Sequence, residues 1–311
     1  MEFKHIPVLL NETINGLNIN PDGIYIDGTI GGAGHSKEII EKLSQKGFLI
    51  GIDRDEEALN AARQNLKEYN NYKLIHENHD NIYEILEELA IEKVDGILLD
   101  LGVSSYQLDN KERGFSYISN NKLDMRMDEN QKLSAYEVVN QYREEELSKI
   151  IYEYGEERFA KRIAENICIE RKKSPIQTTK QLADIIEKSV PISKDGHPAK
   201  RTFQAIRIEV NNELRPLYNT VINSIKCLKE NGRLCIITFH SLEDRVVKNA
   251  YIDAQGKCTC PKDLPYCICN AKSYGQIINK KPIEASEEEL ENNSRSKSAK
   301  LRIFERREKR W

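Results

Sequence analysis

The sequence predicts an α/β protein, with a doubly wound, mostly parallel sheet interrupted by a helical insertion. Three observations carry that expectation. Short apolar runs bounded by glycine or acid alternate with amphipathic stretches from Ile24 to Asp100. The alternation then stops, and Tyr106 to about Lys200 holds no convincing strand. It resumes after Leu214. These shifts divide the chain into a sheet domain, residues 1–108 with 200–311, and a helical insertion, residues 109–199.

In chain order, His5-Ile-Pro-Val-Leu-Leu-Asn-Glu reads as a leading segment packed on the core. Ile24 to Asp27 suits a short buried strand. Gly28, Gly31, Gly32 and Gly34 form a loop that tolerates positive φ and close backbone approach. Ser36 is the expected N-cap of a helix through Gln45. Phe48 to Ile52 is a second strand, closed by Asp53. Glu56 to Tyr69 is a helix with Ala58, Leu59, Ala62 and Leu66 on one face. Tyr72 to His76 is a third strand, and Glu77-Asn-His-Asp80 follows its carboxyl end, where open α/β sheets bind ligands. Ile82 to Ala90 is a helix and Val94 to Asp100 the fourth strand.

In the insertion, helices are expected from the Ser134 cap to Tyr142, and over Glu144–Tyr154, Glu156–Lys172 and Thr179–Ser189. Pro175, Pro191 and Pro198 punctuate them. A helix from Leu214 to Leu228, the breaker Asn231-Gly232, a strand from Arg233 to Phe239 and a helix from Leu242 to about Tyr251 restore the α/β pattern. Segments near Ile277 and Leu301–Phe304 can supply the last strands, separated by the acidic stretch Glu284–Glu291.

The glycine loop lacks the dinucleotide spacing Gly-x-Gly-x-x-Gly in every register. Asp27 also stands where a pyrophosphate wants helix N-terminal donors. A carboxylate there repels a diphosphate and welcomes an ammonium or sulfonium. Asp53 lies about twenty residues beyond the loop, where it can accept both ribose hydroxyls of a nucleoside. S-adenosylmethionine carries all three groups. A loop shaped only for backbone reasons is the bland alternative.

The fourth strand ends in Asp100-Leu-Gly-Val-Ser-Ser105 beside the same crevice. The lone pair of a base's exocyclic amine is delocalised into the ring. Acceptors that hold the NH2 favour the pyramidal nitrogen of an in-line displacement. Asp100 and the Leu101 carbonyl are candidates for that work. The alternative is that Asp100 caps the turn or contacts only the cofactor.

At 311 residues the chain can bury one or two cores. No apolar run approaches a membrane span and no signal peptide is evident, so a cytoplasmic protein is expected. Seven cysteines without an export signal read as reduced thiols. A net charge of −3 argues against indiscriminate nucleic-acid binding, so any such surface must be a local patch.

Together the motifs resemble the bacterial small-subunit rRNA methyltransferase H family, which methylates N4 of a cytidine in 16S rRNA at the decoding centre. The matching stretches are His5-Ile-Pro-Val-Leu-Leu, Asp27-Gly-Thr-Ile-Gly-Gly-Ala-Gly-His35-Ser and Asp100-Leu-Gly-Val-Ser-Ser-Tyr-Gln-Leu-Asp109. Arg113-Gly-Phe-Ser, Leu123-Asp-Met-Arg-Met-Asp128 and Tyr154-Gly-Glu-Glu-Arg-Phe-Ala-Lys-Arg162 match too. So do His197-Pro-Ala-Lys-Arg-Thr-Phe-Gln-Ala205 and Phe239-His-Ser-Leu-Glu-Asp-Arg245. The resemblance implies a class I S-adenosylmethionine-dependent, Rossmann-like fold with a helical insertion. It implies cofactor contacts at Ala33, Gly34, His35, Asp53, His79, Asp100 and Gln107, with Asp100 also the candidate catalytic residue. His79 replaces an aromatic such as Phe, though an imidazole still stacks on adenine. Tyr106 stands where relatives carry Pro, which leaves the turn before Gln107 less rigid. The expected partner is 16S rRNA of the small subunit, with a homodimer admissible and no membrane.

Arg158, Lys161, Arg162, Arg171, Lys172 and Lys173 give one insertion helix a basic character. Lys200, Arg201 and Arg207 form a second set. Arg295 to Trp311 holds eight Lys or Arg against two Glu. Such patches suit phosphates, and an aromatic such as Phe203 can stack on an unpaired base. Ordinary solvated helix charge is the plainer reading of any one patch. Cys258, Cys260, Cys267 and Cys269 could offer four thiolates to zinc, but Cys-x-Cys spacing favours a reduced loop, and no metal is expected. Cys168, Cys227 and Cys235 read as core. Two rival functions stand beside methyl transfer. An NAD-dependent oxidoreductase is disfavoured by the missing fingerprint and by Asp27. A non-enzymatic ribosome-assembly factor would keep the pocket as a relic.

Overall fold

The computed structural model describes residues 7–104, 107, 110–191, 196–256, 260 and 272–307. In chain order the elements are α1 (Leu10–Leu17), β1 (Ile24–Asp27), α2 (Gly34–Lys42), β2 (Phe48–Asp53), α3 (Glu56–Asn65), β3 (Tyr72–His76), α4 (Ile82–Glu88) and β4 (Val94–Asp100). Then come α5 (Ala135–Gln141), α6 (Glu144–Gly155), α7 (Ala160–Lys173), α8 (Thr179–Ser189) and α9 (Ala199–Asn211). The chain continues with α10 (Leu217–Cys227), β5 (Leu228–Thr238), α11 (Ser241–Gln255), β6 (Gly275–Ile277), α12 (Glu287–Asn292) and β7 (Lys300–Arg306). Two compact units result: Met1–Gly102 with Leu214–Trp311, and Val103–Glu213.

The first unit is built on a seven-stranded sheet in the order β3-β2-β1-β4-β5-β7-β6. β1 to β5 run parallel, while β7 is antiparallel to both neighbours. Successive side chains leave a strand on opposite faces, and both faces are covered. Ile26, Ile50, Ile97 and Leu99 pack on one face with residues of α4, α10 and α11. Tyr25, Leu49, Leu98 and Cys235 pack on the other with residues of α1, α2 and α3. Burial on both sides explains why these strands read as apolar runs rather than alternations. From β1 the chain winds outward to β3, then returns to place β4 on the other side of β1. That reversal opens a crevice at the carboxyl ends of β1 and β4, the usual ligand position in such sheets.

The second unit has its own helical core, with Ile151, Ile163, Ile167, Leu182 and Ile206 among its fully buried side chains. Ser134 and Thr178 start α5 and α8 through capping boxes, closed by Glu137 and Gln181. Arg113 stitches the Leu123–Asp128 stretch by donating to the Arg126 and Met127 carbonyls at 3.0 and 2.9 Å. Asn211 accepts from the Met127 amide and donates to the Met125 carbonyl, each at 2.8 Å. Met125 is thereby held at φ 60°.

Several expected boundaries shift for local reasons. Ser36 is not the cap of α2: Ala33 stands there in a left-handed conformation, and Ser36 lies buried inside the helix. The helix expected from Glu156 begins at Ala160, because Glu156 (φ 48°) closes the preceding helix. β5 begins five residues before Arg233; its pairing with β4 jumps from Val94–Leu228 to Gly96–Arg233, and Asn231 turns through φ 64°. The leading segment holds a helix, α1, and α9 follows the punctuation at Pro198.

Candidate active site

The glycine loop is held across three strand ends. The Gly28 amide donates to the Leu98 carbonyl at 2.9 Å, and the Ile30 amide to the Ile52 carbonyl at 3.0 Å. The Gly31 amide donates to Asp53 Oδ2 at 2.9 Å. A Cβ on Gly28 would lie 2.5 Å from Leu99 Cδ2 and 3.2 Å from His79 Cβ. One on Gly34 would lie 2.5 Å from Pro7 Cγ, whereas one on Gly32 would meet nothing within 4 Å. The loop is therefore packed tightly beneath and open at Gly32. Ala33, buried, carries φ 62° to turn the chain into α2.

Three acids gather where the strands end. Asp27 is buried; its Oδ2 accepts from Ser36 Oγ at 2.7 Å and its Oδ1 from the Thr29 amide at 3.2 Å. Desolvation outweighs those bonds and pushes its carboxyl up to about 6. Asp53 Oδ1 accepts from the Asp55 amide at 3.0 Å. With one amide on each oxygen, Asp53 keeps acceptor capacity on both, and burial raises its pKa.

Asp100 donates its amide to Thr29 Oγ1 at 2.6 Å. Its Oδ1 is buried with no hydrogen-bond partner among the described residues. Its Oδ2 lies 3.8 Å from His35 Nδ1, and His35 Nε2 donates to the Val8 carbonyl at 2.9 Å. Desolvation first, then the negative charge of Asp27 and of Glu243, holds the Asp100 carboxyl well above the ordinary range.

His79 follows β3 in a 3-10 turn, 3.8 Å from Asp80 Oδ1. Burial, against the pull of Asp80, lowers its pKa to about 4, so at neutral pH the ring is uncharged and fit to stack. Ala33, Gly34, His35, Asp53, His79 and Asp100 thus all belong to the loop and strand ends of the sheet unit. Gln107 belongs to the helical unit, buried, with Oε1 accepting from the Ser104 amide at 3.0 Å.

The sequence reading took Ser36 only as a cap and gave Thr29, His240 and Glu243 no role of their own. Ser36 Oγ and the Thr29 amide hold the Asp27 carboxylate, and Thr29 Oγ1 takes the Asp100 amide. Glu243, almost wholly buried in the first turn of α11, takes the Phe239 amide on Oε2 at 2.9 Å. The signal available was the position of Phe239-His-Ser-Leu-Glu at the carboxyl end of a central strand.

An acid-lined crevice with an unpartnered buried carboxylate oxygen suits a ligand that brings positive charge and hydrogen-bond donors. An adenosyl sulfonium with an ammonium and a ribose brings both, so these residues fit S-adenosylmethionine. Parallel strands with one antiparallel strand inserted at β7, and acids ending β1, β2 and β4, define a class I S-adenosylmethionine-dependent methyltransferase fold. Residues 2–307 match one family model throughout, and the chain belongs to the MraW methylase family. It is 58% identical over 305 residues to a ribosomal RNA small subunit methyltransferase H of Clostridium botulinum strain Kyoto, covering 97% of this chain and 99% of that one. The corresponding protein of Clostridioides difficile strain 630 is 55% identical over 310 residues, covering 98% and 100%. A solved rRNA methylase from Streptococcus thermophilus gives a TM-score of 0.42 at 12% identity, covering 98% and 99%.

The basic patches divide. Arg158, Lys161, Arg162 and Lys172 are exposed along α7 and its approach, but Arg171 Nη1 donates to the Val139 carbonyl at 2.7 Å and Lys173 pairs with Glu170 at 2.7 Å. Arg207 is paired with Glu213, Arg302 with Asp244 and Arg307 with Glu305. Arg302 of β7 and Arg307 just beyond it therefore serve to hold the fold. Phe203 cannot stack on a base: it is buried in the helical core, edge-on to Tyr117 at 5.6 Å. Cys168, Cys227 and Cys235 are buried. Cys258, Cys267 and Cys269 lie outside the described residues, as do His5, Tyr106 and Asp109. No helix among the described residues is long and apolar enough to cross a membrane.

Proposed function

We propose that the protein transfers the methyl group of S-adenosylmethionine to the N4 amine of one cytidine of 16S rRNA, in the decoding centre of the small ribosomal subunit. The observation that carries this reading is Asp100: an acceptor oxygen, buried and unpartnered, at the carboxyl end of β4 beside the loop. The names of the relatives supply the substrate class. The cofactor supplies an electrophilic methyl on a cationic sulfur. Asp53 accepts its ribose hydroxyls, and His79 stacks on its adenine. Ala33, Gly34 and His35, at the start of α2, receive its amino-acid end, and Gln107 adds a polar contact. Asp100 accepts a hydrogen bond from the cytosine NH2, turns the nitrogen lone pair toward the methyl carbon and takes the proton the amine sheds.

The helical unit, with its exposed cations on α7, grips the RNA backbone. The test is mass spectrometry of 16S rRNA from cells with and without the protein, followed by methylation in vitro of small subunits from the deficient cells. The expected result is one cytidine lacking its N4 methyl group, restored by the purified protein. An unchanged methylation pattern would sink the reading.

A further inference from the structure

The outer edge of the sheet carries cations that serve neither the crevice nor α7. β6 ends at Ile277, the Ile278 amide makes one more bond to the Ile303 carbonyl at 3.0 Å, and the chain returns to β7 where Ile283 bridges Leu301. Between these points the Asn279 side chain takes the place of a strand. Its Oδ1 accepts from the Ile303 amide at 2.8 Å, and its Nδ2 donates to the Leu301 carbonyl at 2.9 Å and to the Lys281 carbonyl at 3.0 Å. The ladder is thus filled by a side chain, while Lys280 and Lys281 bulge from it, both exposed.

A pocket opens beside the bulge. It is lined by Lys248, Tyr251 and Ile252 of α11, by Ile277 of β6, by Lys280 and by Arg302 of β7. Its floor is apolar, and Ile252 is left 49% exposed there. Arg302 is neutralised by Asp244, to which its Nε and Nη2 donate at 2.6 and 3.0 Å. Lys248, Lys280 and Lys281 are exposed and make no ion pair among the described residues. Lysines on a sheet edge often serve only to discourage strand pairing. That need is small here, because the Ile277 amide is already taken by Gln255 Oε1 at 3.1 Å and Asn279 closes the edge beyond it. Edge protection also leaves Lys248, on a helix, without a purpose. The bulge stands level with the reacting end of the sheet. Asp100 pairs with Ile237, Ile237 with Leu301 and Leu301 with Ile283. One cross-strand row therefore joins Asp100 to the end of the bulge, three strand spacings or about 14 Å away.

We propose that Lys248, Lys280 and Lys281 form a second RNA contact, on the sheet unit: they hold phosphates of the strand that flanks the target nucleotide, and one nucleotide of that strand rests its sugar or base on Ile252 and Ile277. The proposal rests on the RNA-substrate reading. Single-stranded RNA presents regularly spaced negative charge with apolar faces between the phosphates. An apolar floor rimmed by unpaired ammonium groups matches that alternation. Lysine acts on phosphate as a point charge, so this contact fixes the position of the strand without reading its sequence.

The experiment uses the full chain and small subunits from cells lacking it. Lys248→Glu, Lys280→Glu and Lys281→Glu are combined, and binding to those subunits is measured over a salt series, beside melting and cofactor titration. The slope of log affinity against log salt is expected to fall by roughly 2, at about 0.7 per phosphate of a single strand, with melting temperature and cofactor affinity unchanged. Ile252→Ala should weaken binding at every salt concentration and leave the slope alone. A photocrosslinking group at position 281 should label 16S rRNA. An unaltered slope for the triple variant overturns the proposal, and so does a crosslink to a ribosomal protein in place of the RNA. Methylation by the wild-type protein separates the two levels. If it leaves the rRNA of these subunits unmethylated, the underlying reading fails first and the proposal falls with it.

Discussion

Charge at the scale of single residues is where this site departs most from an ordinary protein surface. Asp100→Ala removes both acceptor oxygens from the crevice. If Asp100 orients the amine, turnover at saturating cofactor should fall by roughly 10²–10³-fold, with a much smaller change in cofactor affinity. Single-turnover rates beside calorimetric titration separate this from a purely cofactor-binding role, in which saturation restores the rate. Asp27 and His79 provide a second test through stability. His79 is held neutral, with its pKa lowered to about 4, so between about pH 4 and 6.5 the unfolded chain binds the extra proton and stability rises with pH. Asp27, raised to about 6, does the reverse: the folded chain holds the extra proton, and stability falls as pH rises from about 4 to 6. The two slopes, each up to about 1.4 kcal/mol per pH unit, oppose one another. Denaturant melts of His79→Phe should therefore rise less steeply with pH than wild type across that window, and those of Asp27→Asn more steeply. Parallel curves for all three proteins would refute the burial of these charges.

At the scale of elements, most of the sheet was legible because buried parallel strands write themselves as apolar runs closed by glycine or acid. The helix α5 was legible from its Ser134 cap and α8 from the helical stretch between Pro175 and Pro191, whereas the capping-box partners Glu137 and Gln181, and Thr178 itself, went unread. What escaped reading has physical causes. Ser36 has the chemistry of a cap, but its hydroxyl serves Asp27, a contact across nine residues that no local rule contains. The helix α9 buries Phe203, Ile206 and Val210 at helical spacing, yet Lys200, Arg201 and Arg207 made the same stretch read as an RNA-facing patch. Pro198, read only as punctuation, stands at the start of a helix that the sequence reading did not propose. Of the candidate site, the strand-end positions of Asp53 and Asp100 were legible, while the contacts of Thr29 and Glu243 depend on tertiary proximity. The loop itself offers a paired prediction. Gly34→Ala drives a methyl to 2.5 Å from Pro7 Cγ and should cost about 1–3 kcal/mol of stability as overpacking. Gly32→Ala meets nothing within 4 Å and should leave thermal stability unchanged while lowering cofactor affinity. Equal melting temperatures for the two variants would show that the loop yields at Gly34.

At the scale of the whole molecule, the chain forms two compact units, each with its own core, and the proposed function gives the cofactor to one and RNA to the other. That division predicts separable defects. Lys161, Arg162 and Lys172 are exposed on α7, whereas Arg171 and Lys173 are already engaged within their unit. Reversing the first three to Glu should weaken RNA binding and make its dependence on salt shallower, because fewer counterions are released. The slope of log affinity against log salt should drop by roughly 2 for three lost phosphate contacts at the single-strand value. Cofactor affinity should hold, since every acid and loop residue assigned to the cofactor except Gln107 lies in the other unit. Reversing Arg171 instead breaks its bond to the Val139 carbonyl and should lower melting temperature before it touches the salt slope. Filter binding to small-subunit RNA over a salt series, with cofactor titration and melting on the same preparations, checks all three. An unaltered slope for the triple variant removes α7 from the RNA contact surface. A loss of cofactor affinity in the same variant would show that the two units do not act separately.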